Sequence, residues 1–348
     1  MKGVILCAGK AKRMKPFSNT IPKTLLPVAN RPLLEHCINK MTRIGINEIG
    51  IVMNPQQKSI VEYLSLSNLP ATFHYIFQTE QLGVAHALAS VQGFVGTDSF
   101  LLLLGDNLTA EPLETLIAAS GGDKSALLLA EVDNPQDYGV AEIRDNRIVS
   151  IEEKPKQPRS KLAVIGTYLF DANIFMAIQH IQPSTRGEYE ITDAIQWLIQ
   201  HGFPLTYSIT KEPYTDVGTL QRWLEANRWM LSRQLGNEVQ VGVQTKLENC
   251  VLKGPVIIGN QCTLKDAVIG PYVSIQDGTD LMNCTIENSI CLKKARILDI
   301  PSTISHSIFG QHVVLQGIHM QEPSLRFILG SDSHLIFPVS GGKEDANE

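Results

Sequence analysis

No stretch of this 348-residue chain stays apolar for the length a bilayer crossing requires, and residues 1–15 lack the pattern of a secretory leader. Neither a membrane span nor export is expected. Cysteine is sparse and unpaired: Cys7, Cys37, Cys250, Cys262, Cys284 and Cys291 form no CxxC. That argues against zinc and against a disulfide framework, and it suits reduced thiols in a cytoplasmic protein. Surplus positive charge is missing as well. With a net charge of −5 the chain is not a general nucleic-acid binder, so a basic cluster within it serves a local, small anion. Tail-like sequence is confined to 341–348, which reads as a flexible end.

What is present falls into two organisations, as the length suggests. Up to residue 235 strand and helix signals alternate. Ile49–Met53, Phe73–Phe77, Phe100–Leu104, Ser125–Ala130 and Val164–Phe170 read as strands; 33–44, 84–94, 192–201 and Leu220–Leu235 read as amphipathic helices. The unbroken Leu101-Leu102-Leu103-Leu104 run predicts a strand covered on both faces. The expectation is an α/β, Rossmann-like domain with a mostly parallel sheet. From 236 to 340 helical periodicity disappears and apolar residues recur every six positions. Ile257, Ile269, Ile275 and Leu281 share one register, with Thr263 in its gap; after one slip, Ile286, Leu292, Leu298 and Ile304 share the next. That period predicts a three-sided parallel β-helix with Gly254, Gly259, Gly270 and Gly278 at its corners, and with 325–329 and 335–337 as a cap. The β-helix is expected to serve self-association, giving a homo-oligomer.

The densest chemistry lies just after the first strand. Val4–Ala8 leads into a loop carrying Lys10, Lys12, Arg13, Lys15 and Lys23, which ends before a helix with Asn30 as its cap and Pro32 in its first turn. Ligands of open α/β sheets bind at the C-terminal ends of strands. Small Ala8, Gly9 and Ala11 let main-chain N–H groups approach an anion, and the cations add charge. Asp106 leaves the four-leucine strand and Asp216 precedes a helix; two such carboxylates suffice for Mg²⁺ when phosphates complete its shell. Gln78 presents an amide that can read a base edge, beside the small Gly83. Tyr138-Gly139 and Glu153-Lys154 combine close approach, a hydroxyl acceptor and a phosphate-neutralising ammonium, the mixture a sugar phosphate needs. Each has an ordinary alternative: a solvated basic loop, a turn, a helix-start acid, a polar surface residue.

Taken together, Leu6-Cys7-Ala8-Gly9…Arg13…Pro16…Pro22-Lys23…Pro27-Val28…Arg31-Pro32 resembles the signature loop of sugar-1-phosphate nucleotidylyltransferases. Gln78…Gly83-Val84-Ala85-His86, Gly105-Asp106-Asn107, Tyr138-Gly139-Val140, Glu153-Lys154-Pro155, Arg186–Ala194 and Asp216-Val217-Gly218-Thr219 follow in the family's order. The long form of the thymidylyltransferase branch carries a C-terminal left-handed β-helix of hexapeptide repeats, and 269–290 is similar to it. The resemblance implies a nucleoside triphosphate, dTTP first, and a sugar 1-phosphate, glucose 1-phosphate first, as substrates, with Mg²⁺ as cofactor and pyrophosphate released. It implies catalytic roles for Arg13 and Lys23, nucleotide contacts from Ala8, Gly9, Lys12, Gln78 and Gly83, and metal ligation by Asp106 and Asp216. Tyr138, Gly139, Glu153, Lys154 and Gly166 would surround the sugar phosphate.

Two positions depart from the family pattern. Gly9-Lys10-Ala11-Lys12-Arg13 stands where Gly-x-Gly-Thr-Arg is usual, and Thr24 stands where Gln often follows the lysine. Ala11 is strained if its position needs a positive φ. Alternatives are therefore a uridylyl- or other nucleotidylyltransferase, or a catalytically impaired regulatory or assembly subunit. An acyltransferase β-helix using His306 or His312 as a base is a third.

Overall fold

The computed structural model describes residues 1–9, 11–122, 125–317 and 324–336; Lys10, residues 337–340 and the tail lie outside the described residues. The chain divides into two compact units. One contains 1–9, 22–25 and 32–216; the other contains 11–21, 26–31 and 217–336.

The first unit is built on a nine-stranded mixed sheet. Lys2–Leu6, Glu48–Met53, Thr72–Phe77 and Phe100–Leu104 run parallel, and Leu162–Phe170 joins antiparallel to the last of these. The hairpin Gly139–Arg144 and Arg147–Glu153 forms one edge, while Ser125–Glu131 and its parallel partner Leu205–Thr210 branch from Leu162–Phe170. The four-leucine strand behaves as its sequence requires. Leu102 enters the core with Val4 and Leu127; Leu101 and Leu103 enter the opposite core with Ile5 and Ile51. The helix Leu33–Arg43 lays Leu34, Cys37, Ile38 and Met41 on the second core, and Ile191–Gln200 lays Ile191, Ala194, Ile195 and Leu198 on the first. Each of the Leu, Ile and Met side chains among them contributes about 1.5–3 kcal/mol by leaving water. Two details differ from the sequence expectation. The 84–94 helix is broken into Val84–Ala89 and Gln92–Val95, and the Ser90 hydroxyl donates to the Ala87 carbonyl at 2.6 Å, competing with the helical ladder. Pro32, not Asn30, is the residue preceding the 33–43 helix.

The second unit is a stack of short parallel strands consistent with a β-helix. Val239 pairs with Val256 and Val256 with Val273, while Lys246 pairs with Thr263 and Thr263 with Asp280, so a coil takes seventeen residues. Later coils are uneven: Asp280 pairs with Arg296, Arg296 with Val314, and Val314 with His334. A seventeen-residue coil is one short of three six-residue sides, so the register slips once per coil rather than once overall. Ile258, Leu264, Ile269, Ile275, Leu281, Ile286 and Leu292 point inward, whereas Ile257 and Thr263 are only half-buried. The 324–336 strands pair in parallel with the preceding coil and form the next layer of the stack; Phe337 lies outside the described residues.

Three corners of successive coils are held by stacked residues at positive φ. Asn249, Asp266, Asn283 and Asp299 form one ladder, Gln261, Lys294, His312 and Asp332 a second, and Tyr272, Asn288 and His306 a third. At Gly254 and Gly270 the coils approach so closely that a Cβ would lie 1.8 Å and 1.9 Å from the carbonyl oxygens of Asn237 and Lys253. The helix Leu220–Leu235, started by Thr219 accepting from the Arg222 N–H, belongs to this unit. Its Trp223 is fully buried, donates to the Pro27 carbonyl at 2.6 Å and meets Phe17 edge-on at 5.3 Å. Asn227 Oδ1 accepts from Ala29 N–H at 2.9 Å and from Ser274 Oγ at 2.7 Å.

Candidate active site

Parallel strands end together, so the four parallel strands deliver Cys7-Ala8-Gly9, Gly105-Asp106 and Gln78 to one edge of the sheet. Two side-chain amides fasten the start of the loop there: Gln57 donates to the Cys7 carbonyl at 3.0 Å and Gln81 to the Ala8 carbonyl. Gly105 is packed against the Leu6 carbonyl, Thr24 and Cys7, which leaves no room for a side chain. Thr24 is buried at that contact. Burial pushes the Cys7 thiol up and that of Cys37 up to about 12, so neither is a thiolate nucleophile at neutral pH.

At this edge Lys23 Nζ lies 2.5 Å from Asp106 Oδ2, and the lysine side chain is largely sheltered from solvent. The short strand Tyr214–Asp216 pairs antiparallel with Asn107–Thr109, setting Asp216 opposite Asn107 and therefore beside Asp106. A carboxylate and an ammonium thus meet where a parallel strand ends, and a second carboxylate stands on the strand paired with the residues that follow. Oxygen-only donors suit a hard cation whose remaining ligands come from phosphate and water. Among the described residues no group of three or more His, Cys, Asp or Glu forms a protein-only metal cage. The donor set fits Mg²⁺ held jointly with a substrate.

Gly83, Gly139 and Glu153 gather around one segment, Arg186–Thr192. Gly83, at φ 109°, has the space of its missing Cβ filled by the backbone of Tyr189, which bonds Leu82 and Ala85. Close backbone packing therefore explains Gly83 before any ligand is considered. Gln78 is buried, and its amide nitrogen lies 3.1 Å from His86 Nδ1. Gly139 pairs with Glu153 across the hairpin and abuts Thr192, whose hydroxyl donates to Glu153 Oε2 at 3.1 Å. Arg186 reaches Glu153 at 3.1 Å and Glu190 at 2.7 Å. Burial, reinforced by the neighbouring Glu190 charge, raises the Glu153 carboxyl above the usual range. Lys154 is exposed at φ 46°, its N–H tied to the Tyr138 carbonyl at 2.9 Å; such strained backbone persists only where surrounding structure imposes it. Gly166, at φ 72°, sits where the register of Leu162–Phe170 shifts, and Asn107 Nδ2 occupies the space of its absent Cβ.

Lys12 and Arg13 are exposed on a short turn, Lys12–Met14, that packs within the coil-bearing unit. Ala11 before them has φ 47° and ψ 40°, the left-handed conformation that the glycine of the family pattern adopts without strain. Gln57, Gln81 and His86 were not singled out by sequence reasoning. Gln81 and His86 fall inside the Gln78–Ala87 stretch, but nothing in the sequence marks Gln57.

The comparisons with known proteins bear on this geometry directly. Residues 2–233 match the family model described as nucleotidyl transferase. The chain belongs to that family. It is 32% identical over 350 residues to a Streptomyces griseus protein named glucose-1-phosphate thymidylyltransferase, covering 96% of this chain and 98% of that one. It is also 32% identical over 356 residues to the low-salt glycan biosynthesis nucleotidyltransferase Agl11 of Haloferax volcanii, covering 96% and 99%. Among solved structures, a Bacillus anthracis chain described as a glucose-1-phosphate thymidylyltransferase, in complex with sucrose, superposes with a TM-score of 0.62. That match has 35% identity over 68% of this chain and 96% of the other. The resemblance carried by the loop and strand-end motifs is borne out, and this nucleotidyltransferase is an enzyme of the class they indicated. Among the described residues no helix is long and apolar enough to cross a membrane.

Proposed function

We propose that this enzyme transfers a thymidylyl group from dTTP to glucose 1-phosphate and releases pyrophosphate. The observation that carries the reading is the contact of Lys23 with Asp106 at the end of a parallel strand, with Asp216 on the short strand paired to the residues after Asp106. The naming of full-length relatives supports the choice of base and sugar.

A phosphate oxygen of the sugar 1-phosphate attacks the α-phosphorus in line, and pyrophosphate leaves from the opposite side. Little covalent chemistry is required of the protein; positioning and neutralisation of growing charge do the work. Asp106 and Asp216 would hold Mg²⁺, which when bound supplies positive charge to the triphosphate oxygens. Lys23, kept at Asp106 in the free enzyme, passes its ammonium to the reacting phosphates. Arg13 and Lys12 neutralise the outer phosphates, and the N–H groups of Ala8 and Gly9 border them. Gln78, released from His86, and Gly83 face the base. Glu153 accepts sugar hydroxyls, Lys154 meets the sugar's phosphate, and Tyr138, Gly139 and Gly166 bound that pocket. On this reading 1–235 is the catalytic domain and 236–340 an assembly domain, whose first coil exposes Val243 and Val251 to a second copy.

A pyrophosphate-release assay with dTTP, UTP, ATP, CTP and GTP against glucose 1-phosphate and its epimers tests the proposal. The expected result is the highest kcat/KM for dTTP with glucose 1-phosphate. A preference for UTP would reassign the base, and negligible turnover with every pair would make the chain an impaired regulatory subunit.

A further inference from the structure

The second unit contains a cavity of about 560 Å³, bordered by charged and polar residues, that the proposed reaction leaves unused. One wall is a face of the Leu220–Leu235 helix, contributing Leu224, Glu225 and Arg228; the other is the third corner of the coils, contributing Asn288, His306 and Arg326. The stacked positive-φ positions Tyr272, Asn288 and His306 build that wall by repetition. The cavity has the size of a metabolite site.

Its chemistry is that of an anion receptor. Among the described residues neither Arg228 nor Arg326 makes an ion pair. The Arg228 guanidinium is laid over the Tyr272 ring at 4.6 Å, which orients its donors without neutralising them, and Arg326 Nε is anchored on the His306 carbonyl at 3.2 Å. Ser305 donates to Glu287 at 3.0 Å, so it accepts at 2.7 Å from His306 Nδ1–H. This leaves His306 Nε2 as the ring atom free to meet a ligand. Glu225, held by Gln221 at 2.9 Å, adds an acceptor that suits hydroxyl groups and would repel a bare polyanion. Two fixed guanidinium groups beside an imidazole and a single carboxylate specify a ligand with one phosphate and several hydroxyls.

We infer that this cavity binds a phosphorylated, hydroxyl-bearing small molecule, a sugar phosphate or nucleotide, at a site separate from the sheet-edge residues. Occupancy would be felt along the same helix. Trp223 and Asn227, interleaved in sequence with Leu224, Glu225 and Arg228, hold segments 11–21 and 26–31, which include Lys12 and Arg13.

The test is calorimetric titration of the full-length protein with inorganic phosphate, glucose 6-phosphate and glucose. Saturable binding of phosphate, at least tenfold tighter binding of glucose 6-phosphate and no binding of glucose are expected. The Arg228→Ala/Arg326→Ala variant, whose exposed positions leave the core intact by circular dichroism, should lose at least tenfold in affinity. The Lys23→Ala/Lys154→Ala variant should retain that binding. No saturable binding, equal affinity for phosphate and glucose 6-phosphate, or loss confined to the Lys23→Ala/Lys154→Ala variant would overturn the inference.

Discussion

The two units place their side chains by different means. In the coils a single corner geometry is repeated, so residues with φ > 0 are stacked from coil to coil and are mostly Asn, Asp, Gln, His or Lys. Around the sheet edge each unusual backbone position is solitary and has its own cause: Tyr189 against Gly83, Asn107 against Gly166, the Tyr138 carbonyl on Lys154. Repetition makes a wall cheaply and tolerates substitution at one rung. A solitary arrangement fails when one member is removed. The difference predicts catalytic fragility at the sheet edge and graded stability losses in the coils.

The largest effect should come from the sheet edge. Asp106→Asn or Asp216→Asn is expected to lower turnover on the order of 100-fold or more while circular dichroism stays native. Recovery of either variant at high Mg²⁺ would locate its loss in metal affinity, and no recovery would place it in the charge and geometry supplied after the metal binds. Near-native turnover of Asp216→Asn would reduce its role to pairing with Asn107.

In the coils, the alternation itself can be broken. Ile258 is 2% exposed and inward, while its neighbour Ile257 is half-buried. Ile258→Ala should cost about 3 kcal/mol by cavity formation and Ile257→Ala about 1 kcal/mol, read from denaturant midpoints of the coil transition. Equal losses would show that the coil register is not the one described.

Legibility followed the same division. Leu101–Leu104 was readable because an unbroken apolar run reports burial on both faces, and Leu220–Leu235 because its periodicity reports a buried face. The six-residue period was also readable, but its slip in every coil was not, since a shift of one residue between two adjacent isoleucines leaves composition unchanged. Lys23, Asp106 and Asp216 stood out by residue type and place. The placing of Asp216 on a strand beside the Asp106 segment did not, because it depends on the antiparallel pairing of 214–216 with 107–109, about a hundred residues apart. The hairpin at 139–153 was visible only as turn chemistry, and Gln57 carries no local signal at all.

A smaller effect is expected at Ala11, a left-handed position held by alanine where the family pattern has glycine. Its left-handed backbone costs about 1–2 kcal/mol, partly offset by the lower chain entropy of alanine relative to glycine. Ala11→Gly should therefore raise stability by about 0.5–1 kcal/mol, and together with Lys12→Thr it should keep or raise kcat. Lower stability in Ala11→Gly would mean that the loop does not hold the left-handed conformation in solution.

The smallest effect concerns pH. Burial, then the Glu190 charge, raises the Glu153 carboxyl, so the folded protein holds that proton more tightly than the unfolded chain. Stability due to this group is fully present below the ordinary value of 4.5 and is lost as pH rises through the raised value. Glu153→Gln has no such proton to lose. The stability of the natural protein relative to Glu153→Gln should therefore decline from about pH 4 upward and then level off. Asp193, raised in the same direction by burial, is present in both proteins and cancels from the difference. Chemical denaturation of the two proteins across this range measures it. A difference that grows with pH would mean that the Arg186 and Thr192 contacts outweigh burial, and that Glu153 is held as a structural anion instead of being kept ready to accept sugar hydroxyls.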